Sequence, residues 1–275
     1  MKYGIAVRNM GPQSSRKTIM ACARIAEQAG FDAIFVSDHL CIPTDQAEGS
    51  GGRYLDVMAT IAFLAGMTER IRIGISVLVL PYRPAVLTAR QLAAIQELSG
   101  ERVILATGSG WMKPEFEALG VDFRRRGVIT TETLEVIHHL FSADLPGGFE
   151  GKTVRFPSFV SLPRPKRPPI WIGGNGDAAI KRVVDFGDGW HPMLSATELE
   201  AKVEELKSML RAKGRPDPEI IVRRGMKFHD IAAARARLQA EREAGATYFI
   251  LDLGRYPDEA AFGESVETFM AKVAS

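Results

Sequence analysis

The chain has 275 residues, of which 46% are hydrophobic and 25% charged, proportions typical of a soluble globular protein and not of a disordered or fibrous one. Lys and Arg number 35 against 33 Asp and Glu, and the net charge of +2 gives no broad basic field that would hold nucleic acid through its phosphates. The two cysteines, Cys22 and Cys41, are too few for a disulfide framework, which predicts a reducing compartment.

The N-terminal stretch is interrupted by Arg8 and lacks the apolar core of a secretory signal. No later window approaches the ~18 apolar residues expected of a membrane-spanning helix. We therefore expect a cytoplasmic protein with neither a membrane partner nor a nucleic-acid partner.

Eight short β-rich runs alternate with longer helical patterns along the whole chain. The runs are 3–7, 33–36, 71–78, 103–106, 170–172, 189–191, 220–223 and 248–251. Four of the helical patterns end at a glycine, namely Gly30, Gly100, Gly187 and Gly245. Eight strands with helices between them predict an α/β fold of the (β/α)8 TIM-barrel type, and the main rival is a doubly wound open sheet.

One segment interrupts this alternation between the fourth and fifth predicted strands. Residues 142–169 are rich in Pro and Gly, and the alternating pattern at 152–156 predicts a small hairpin there. Neither an internal repeat nor a Ser/Gly linker divides the chain. We expect a single barrel domain over residues 1–275 that carries this insertion.

The second predicted strand ends in Asp38 and His39. In parallel α/β folds, functional side chains collect at the carboxyl ends of the strands, and a carboxylate beside an imidazole can form an acid/base or substrate-binding pair. The alternative is that Asp38 caps the following loop and His39 only packs. The nearby Cys41 invites a zinc interpretation, but further ligands do not recur at metal spacing, so we predict no metal.

Glycines and tryptophans follow the fourth and sixth strands. The fourth strand leads into Thr107, Gly108 and Gly110, whose glycines let a ligand approach the backbone, and then into Trp111, a flat apolar surface for a ring. A tight loop with a packed indole explains this segment almost equally well. On the sixth strand, Trp190 and His191 could line a pocket or fill the barrel interior, and their spacing alone does not decide.

The fifth strand runs into Gly173, Gly174, Asn175 and Gly176 at the start of a helix. Small residues at a helix N-terminus form a nest of N–H groups that suits a phosphate. Together with Ala179, two of these glycines match the dinucleotide fingerprint, but four strands precede the segment and three follow it, whereas a Rossmann domain normally opens with it. A glycine turn without a ligand remains the alternative.

With these segments in view, the chain resembles the luciferase-like monooxygenase superfamily and, within it, the branch that depends on coenzyme F420, a deazaflavin. The resemblance covers most of the chain and rests on six ordered segments: AGFD before SDHL, LVLPYR, LSG before RV, GSGW before EFEALG, PPIWIGG and GDGWHP. It implies a (β/α)8 barrel and a homodimer. It also implies a flat cofactor ring over the end of the third strand, where a non-proline cis peptide is expected at Ser76–Val77.

The residues and the resemblance together give a predicted site. The predicted catalytic residues are Asp38 and His39. The predicted cofactor-binding residues are Ser76, Val77, Thr107, Gly108, Gly110, Gly173, Gly174, Asn175 and Gly176. The predicted substrate pocket consists of Trp111, Trp190 and His191.

Two departures from the family pattern limit this resemblance. The branch often reads Tyr-Arg-His-Pro-Val after the third strand, whereas this chain has Tyr82-Arg83-Pro84-Ala85-Val86 and lacks that histidine. The sugar-phosphate dehydrogenases of the branch have a Glu directly after the second glycine of the strand-four loop, where Trp111 stands here. The sequence therefore disfavours a sugar phosphate as the substrate.

These features predict an oxidoreductase that moves a hydride between coenzyme F420 and a small, uncharged or carbonyl-type organic substrate, with the cofactor supplying the difficult chemistry. The first alternative is a monooxygenase that uses reduced FMN and oxygen. A deazaflavin lacks the nitrogen whose neighbouring carbon forms a hydroperoxide, and this difference separates the two. The second alternative is a flavin-binding barrel without turnover.

Overall fold

The computed structural model describes residues 1–142 and 147–275, in which eight parallel strands close into a barrel. Numbered in chain order together with a two-stranded hairpin, the strands are β1 Lys2–Ala6, β2 Ala33–Val36, β3 Arg72–Val79, β4 Val103–Gly108, β5 Phe149–Glu150, β6 Arg155–Phe156, β7 Ile170–Gly173, β8 Gly189–His191, β9 Glu219–Gly225 and β10 Tyr248–Asp252. The barrel order is β1-β10-β9-β8-β7-β4-β3-β2, and β1 pairs with both β10 and β2. All eight predicted strands are confirmed, and the open-sheet rival is wrong.

Helices cover the outside of the barrel. They are α1 Arg16–Gln28, α2 Val57–Met67, α3 Ala85–Leu98, α4 Lys113–Ala118, α5 Arg126–Leu140, α6 Asp177–Phe186, α7 Ala196–Ala212, α8 Ile231–Glu243 and α9 Glu259–Thr268, followed by a π-helical turn at Phe269–Val273. None of the helices in the described ranges combines the length and the apolar character needed to cross a bilayer.

The predicted helix ends have two different causes. Gly30, Gly100 and Gly245 have φ values of +84°, +66° and +95°, the left-handed conformation that ends a helix most easily at glycine. Gly187 instead has φ −87°. It is required because a Cβ there would lie 3.0 Å from the Cα of Val183, so α6 ends on a close approach and not on a left-handed turn.

The predicted hairpin lies in the inserted segment, although its strands are shorter than the pattern suggested. The described hairpin consists of β5 and β6 alone, and residues 151–154 form the connection between them. The buried Glu132 of α5 holds this connection by accepting hydrogen bonds from the backbone of Lys152 and Thr153 and from the Thr153 hydroxyl. Residues 143–146, at the start of the predicted insertion, lie outside the described residues.

Three aromatic rings fill the lower interior of the barrel. Phe35, Trp171 and Tyr248 are fully buried, and the centroid of the Trp171 ring lies 5.6 Å from that of Phe35 and 4.8 Å from that of Tyr248. The rings fit because Gly4 and Gly74 face them, where a Cβ would lie 2.5 Å and 2.1 Å from a Phe35 ring carbon. These rings therefore block the barrel interior on the side of the amino ends of the strands. A ligand can enter only at the carboxyl ends.

Candidate active site

A layer of polar side chains lies above the aromatic rings, at the carboxyl ends of the strands. Because side chains alternate along a strand, the positions that follow the interior residues Phe35, Gly74, Gly189, Ile221 and Ile250 by two residues also face the barrel interior. They are occupied by Ser37, Ser76, His191, Arg223 and Asp252, which we call the polar layer.

Arg223 connects this layer. Its Nε and Nη2 donate to Oδ2 of Asp252 at 3.0 and 2.8 Å, and its Nη1 donates to the carbonyl of Ser76 at 2.9 Å and to the hydroxyl of Ser37 at 3.2 Å. Groups from three other strands or strand ends are thus hydrogen-bonded to one guanidinium. This network forms a charged floor for part of the barrel mouth.

His191 lies in the same layer and is neutral. Its Nδ1 lies 3.2 Å from the carbonyl of Ile221, which can only accept, so Nδ1 carries the proton and Nε2 accepts from the Ser76 hydroxyl at 2.9 Å. Burial lowers the pKa of His191 to about 4, and the positive charge of Arg223 contributes in the same direction. His191 was predicted to line the substrate pocket, and the structure instead places it beneath the mouth, buried and fully hydrogen-bonded.

His39 is held by a buried carboxylate. Its Nδ1 lies 2.7 Å from Oε2 of Glu115, which also accepts from the Tyr82 hydroxyl at 2.8 Å, while Oε1 accepts from the amides of Leu40 and Cys41 at 2.6 and 2.9 Å. Burial alone would raise the pKa of Glu115, but these four hydrogen bonds outweigh it and lower the pKa to about 2. Because a carboxylate only accepts, Nδ1 of His39 carries the proton.

The described residues leave the Nε2 atom of His39 without a hydrogen-bond partner. The side chain is 20% exposed, and its ring lies between Tyr54 and Trp111, with centroid distances of 5.2 and 6.2 Å. Trp111 is 68% exposed at the mouth, as a pocket wall requires. This geometry allows His39 to exchange a proton with a bound molecule.

Asp38 does not form the predicted pair with its neighbour His39. Its side chain is fully buried, and its two oxygens accept from Arg83 at 2.7 and 2.9 Å and from the amide of Val79 at 3.0 Å. The carboxylate thus fixes the end of β3, and Glu115 takes the place beside the imidazole. We correct the catalytic role predicted for Asp38 to a positioning role.

Val77 occupies the position predicted for contact with a cofactor ring. The Ser76–Val77 peptide bond is cis, as predicted. A Cβ on Gly108 or on Gly173 would lie 3.2 Å from a methyl group of Val77, so this side chain lies between the ends of β4 and β7. Glycine at both positions leaves room for the branched side chain beside the ends of these two strands.

Three of the predicted cofactor-binding residues have other uses within the protein. The Ser76 hydroxyl is buried against His191, and the fully buried Thr107 hydroxyl donates to the carbonyl of Leu78 at 2.9 Å. Gly110 has φ +75°, and a Cβ there would lie 2.6 Å from a methyl group of Val79. These residues shape the mouth, and none offers a free side-chain donor to a ligand.

The glycine loop after β7 is fixed by β8 and the residues that follow it. Trp190 Nε1 donates to the carbonyl of Gly174 at 2.8 Å, and the amide side chain of Asn175 bonds both the amide and the carbonyl of Met193 at 2.8 and 3.2 Å. Gly174 has φ +120°. Asn175 therefore clamps two loops together, so that its backbone and not its side chain is available to a phosphate.

Trp190 was predicted to wall the pocket, and the structure places its side chain away from the mouth. Its side chain is fully buried and packs in the layer between the barrel and the helices. The reason is the alternation along β8, in which Gly189 and His191 face the interior and Trp190 faces outward. Its part in the site is indirect, through the bond to Gly174.

The sequence interpretation missed Glu115, Tyr82, Arg223 and Asp252. Period-two alternation could have found the last two, because each follows a buried interior residue by two positions at the end of a strand. Glu115 gave no such signal, since it lies on α4 and meets His39 only in the folded chain. Within the described ranges, three His, Cys, Asp or Glu side chains do not cluster as a metal site would need.

The fold and this site define a (β/α)8-barrel enzyme with a glycine-lined edge and a histidine–glutamate pair at its mouth. A family model described as luciferase-like monooxygenase matches residues 1–271. The chain belongs to this family, whose members are oxidoreductases and monooxygenases that depend on F420 or on a flavin. The protein is accordingly an oxidoreductase of this family.

Two relatives illustrate the similarity in sequence. The chain is 30% identical over 210 residues to an uncharacterized protein of Mycobacterium tuberculosis, which covers 71% of this chain and 72% of the relative. It is also 30% identical over 194 residues to an F420-dependent glucose-6-phosphate dehydrogenase of Amycolatopsis mediterranei, covering 68% of this chain and 55% of that protein.

Two solved structures show the same fold at low sequence identity. An F420-dependent secondary alcohol dehydrogenase in complex with an F420–acetone adduct superimposes with a TM-score of 0.83 and 17% identity, over 99% of this chain and 98% of that one. A type II Baeyer–Villiger monooxygenase component from Pseudomonas putida, in complex with FMN, gives 0.76 and 14% identity over 100% and 98% of the two chains. Both cofactors therefore occur on this fold.

Proposed function

We propose that the protein is an F420-dependent oxidoreductase that transfers a hydride between the deazaflavin and a small organic substrate. The observation that carries this proposal is the layout of the mouth. Gly173 and Gly176 lie at the end of β7, Val77 lies at the centre, and His39 lies at the end of β2 beyond it. A flat cofactor anchored at the glycines would cover Val77 and present its far edge to His39.

The glycine loop fits a phosphate group. Gly176 precedes the first residue of α6, and a Cβ there would meet no protein atom within 4 Å, so the space beside its backbone is open to a ligand. The first amides of a helix lack intrahelical acceptors, and the helix dipole favours an anion at this end. The amides of residues 175–178 would hold the phosphate, and Val77 would support the ring.

When bound, the deazaflavin supplies the carbon that donates or accepts the hydride. The protein supplies the proton transfer. For the oxidation of an alcohol, Nε2 of His39 accepts the hydroxyl proton; for the reduction of a carbonyl group, the imidazolium returns it. Glu115 stays ionised in both directions and stabilises the positive ring, because its hydrogen bonds keep its pKa far below neutrality.

An FMN-dependent monooxygenase is the second candidate. The FMN-bound structure with this fold supports it, and a phosphate nest serves a terminal FMN phosphate as well as it serves F420. F420 is preferred because curated relatives with 27–30% identity are an F420-dependent dehydrogenase and a methylenetetrahydromethanopterin reductase. A flavin-binding barrel without turnover is disfavoured, since it would have no use for a buried Glu115 oriented on His39.

We also propose that the protein acts in the cytoplasm as a homodimer with a single barrel domain. Large apolar side chains are exposed on α2 and α3, namely Phe63, Leu87 and Leu98, of which Leu98 is 80% exposed. Exposed apolar patches mark association surfaces. Light scattering at micromolar concentration should give twice the 30.1 kDa mass of the chain, and a monomer would contradict the proposal.

The proposed function is tested by titration with F420 and with FMN, followed by oxygen uptake with each reduced cofactor. We expect F420 to bind more tightly, and the reduced complex to consume no oxygen beyond its free-cofactor rate. Tighter binding of FMN together with substrate-dependent oxygen uptake would establish the monooxygenase instead. Binding of neither cofactor would overturn both.

A further inference from the structure

The mouth has a charged side opposite its glycine loop. Around a closed barrel of eight strands, β7 lies four positions from β1, and β9 and β10 continue on the same side as β1. We call Arg8, Arg223 and Asp252, which lie at the ends of these three strands, the charged side. A cofactor anchored at β7 leaves this side for the substrate.

Arg8 continues the interior face of β1. Gly4 and Ala6 face the barrel interior and Ile5 and Val7 face the helices, so the alternation directs Arg8 into the mouth. Arg8 is half-buried, and among the described residues its side chain donates one hydrogen bond, from Nη2 to the carbonyl of Gly49 at 3.2 Å.

The charge of Arg8 has no counterion of its own. Its Nε is buried without an acceptor, and no carboxylate lies within 4.0 Å of it in the part of the chain that the structure describes. A partly buried charge without an ion pair is costly to keep in a folded protein. A ligand with the opposite charge would offset that cost.

The neighbouring groups do not neutralise this charge. Asp252 already pairs with Arg223 at 2.8 Å. Burial alone would raise the pKa of Asp252, but the charges of Arg223 and Arg8 and the hydrogen bond from the Gly254 amide lower it, so Asp252 carries a negative charge. The hydroxyl of Tyr54 is also within electrostatic reach of both arginines. Two guanidinium groups therefore face one carboxylate, and the charged side carries a net positive charge.

Tyr54 connects the charged side to the proton-transfer residue, since its ring packs against that of His39 at 5.2 Å. We propose that the substrate carries an anionic group, a carboxylate or a phosphate, that binds Arg8 beside Arg223 while its reacting carbon faces His39. This inference rests on the proposed function and names its substrate class. It replaces the uncharged substrate expected from the sequence.

The test measures binding of three probes of similar shape, benzoate, phenyl phosphate and benzamide, to the cofactor-loaded protein by titration calorimetry. We expect at least one of the two anions to bind and benzamide not to bind. Arg8→Gln should weaken anion binding by roughly tenfold to a hundredfold, the usual effect of removing a charged hydrogen-bond donor. Arg24→Gln, which removes an exposed charge from α1, should leave it unchanged.

An affinity for benzamide as high as that for both anions would overturn the inference, as would equal losses in Arg8→Gln and Arg24→Gln. Arg8→Lys keeps the charge and should retain most of the anion affinity, which separates loss of the cation from disturbed folding. Cofactor affinity is measured in the same variants and should not change. Failure of the parent protein to bind either anion while it still binds the cofactor refutes this inference alone, whereas absence of cofactor binding in the parent protein refutes the proposed function.

Discussion

The glycine side and the charged side of the mouth offer a ligand different kinds of contact. The glycine side, at the ends of β4 and β7, offers backbone amides and the space left by absent side chains. The charged side, at the ends of β1, β9 and β10, offers Arg8, Arg223 and Asp252. A cofactor bound at the glycine side would be held by the backbone, whereas a substrate bound at the charged side would be selected by a few side chains.

The largest expected effect is a loss of turnover on substitution of His39, with cofactor binding at the glycine side retained. His39→Ala should reduce turnover by about 10²–10⁴, because it removes the proton-transfer group while leaving the amides of α6 in place. Steady-state kinetics and cofactor titration measure the two effects separately. His229→Ala, on an exposed loop, is the control; equal loss of cofactor binding and turnover in His39→Ala would make His39 a structural residue.

The next effect concerns Glu115, which acts through His39. Glu115→Gln keeps the shape but removes the charge that stabilises the imidazolium, so we expect kcat to fall by roughly 10–100-fold. The pH dependence of kcat should change shape, and the ¹⁵N spectrum of His39 should show loss of the Nδ1–H tautomer. Tyr82→Phe removes one hydrogen bond and keeps the charge, and it should cost only a few-fold. A uniform fall without a change in tautomer would indicate a purely structural role.

The polar layer makes stability depend on pH. Burial holds the pKa of His191 at about 4, below its ordinary 6.5, so the unfolded chain binds a proton first as the pH falls. Stability from this group is complete above pH 6.5 and is lost between pH 6.5 and 4, by up to about 3 kcal/mol. His191→Gln should flatten the free energy of unfolding, measured in urea, over this window. An unchanged slope would contradict the assignment of a neutral His191.

The smallest expected effect is on cofactor affinity, and it tests whether Trp190 acts only through the glycine loop. Trp190→Phe removes the hydrogen bond from Nε1 to the carbonyl of Gly174 but keeps an aromatic ring in the buried layer. We expect cofactor affinity to fall by only a few-fold, about the value of one neutral hydrogen bond. KM for the substrate should not change. A rise in KM with unchanged cofactor affinity would return Trp190 to the substrate pocket.

The fold could be predicted from sequence because its signals are local. Each strand is a short apolar run of its own, and glycines mark the ends of the helices, so no long-range information was needed to count eight βα units. The glycine loop was visible for the same reason. The residues of this loop are consecutive, and the contacts they offer a ligand come from the backbone and not from side chains.

The side-chain contacts of the site could not be predicted in this way. His39 and Glu115 are 76 residues apart, and Asp38, the nearer carboxylate in the sequence, pairs with Arg83 from the connection between β3 and α3. Closure of the barrel decides which carboxylate reaches the imidazole, and spacing along the sequence does not predict this choice. Trp190 was misplaced because a strand of three residues gives too short an alternation to show which face is interior.

The central claim is that the cofactor phosphate lies against the backbone of the glycine loop, and Gly176→Val tests it most directly. A side chain at Gly176 meets no protein atom, and its φ of −91° suits valine, so the variant should fold with a loss of at most about 1 kcal/mol from the weaker helix cap. Gly66→Val, at an exposed position of α2 with equally open space, is the matched control. We predict that Gly176→Val lowers cofactor affinity by about 100-fold or more, whereas Gly66→Val has no effect. Equal cofactor affinity in the two folded variants would contradict the account.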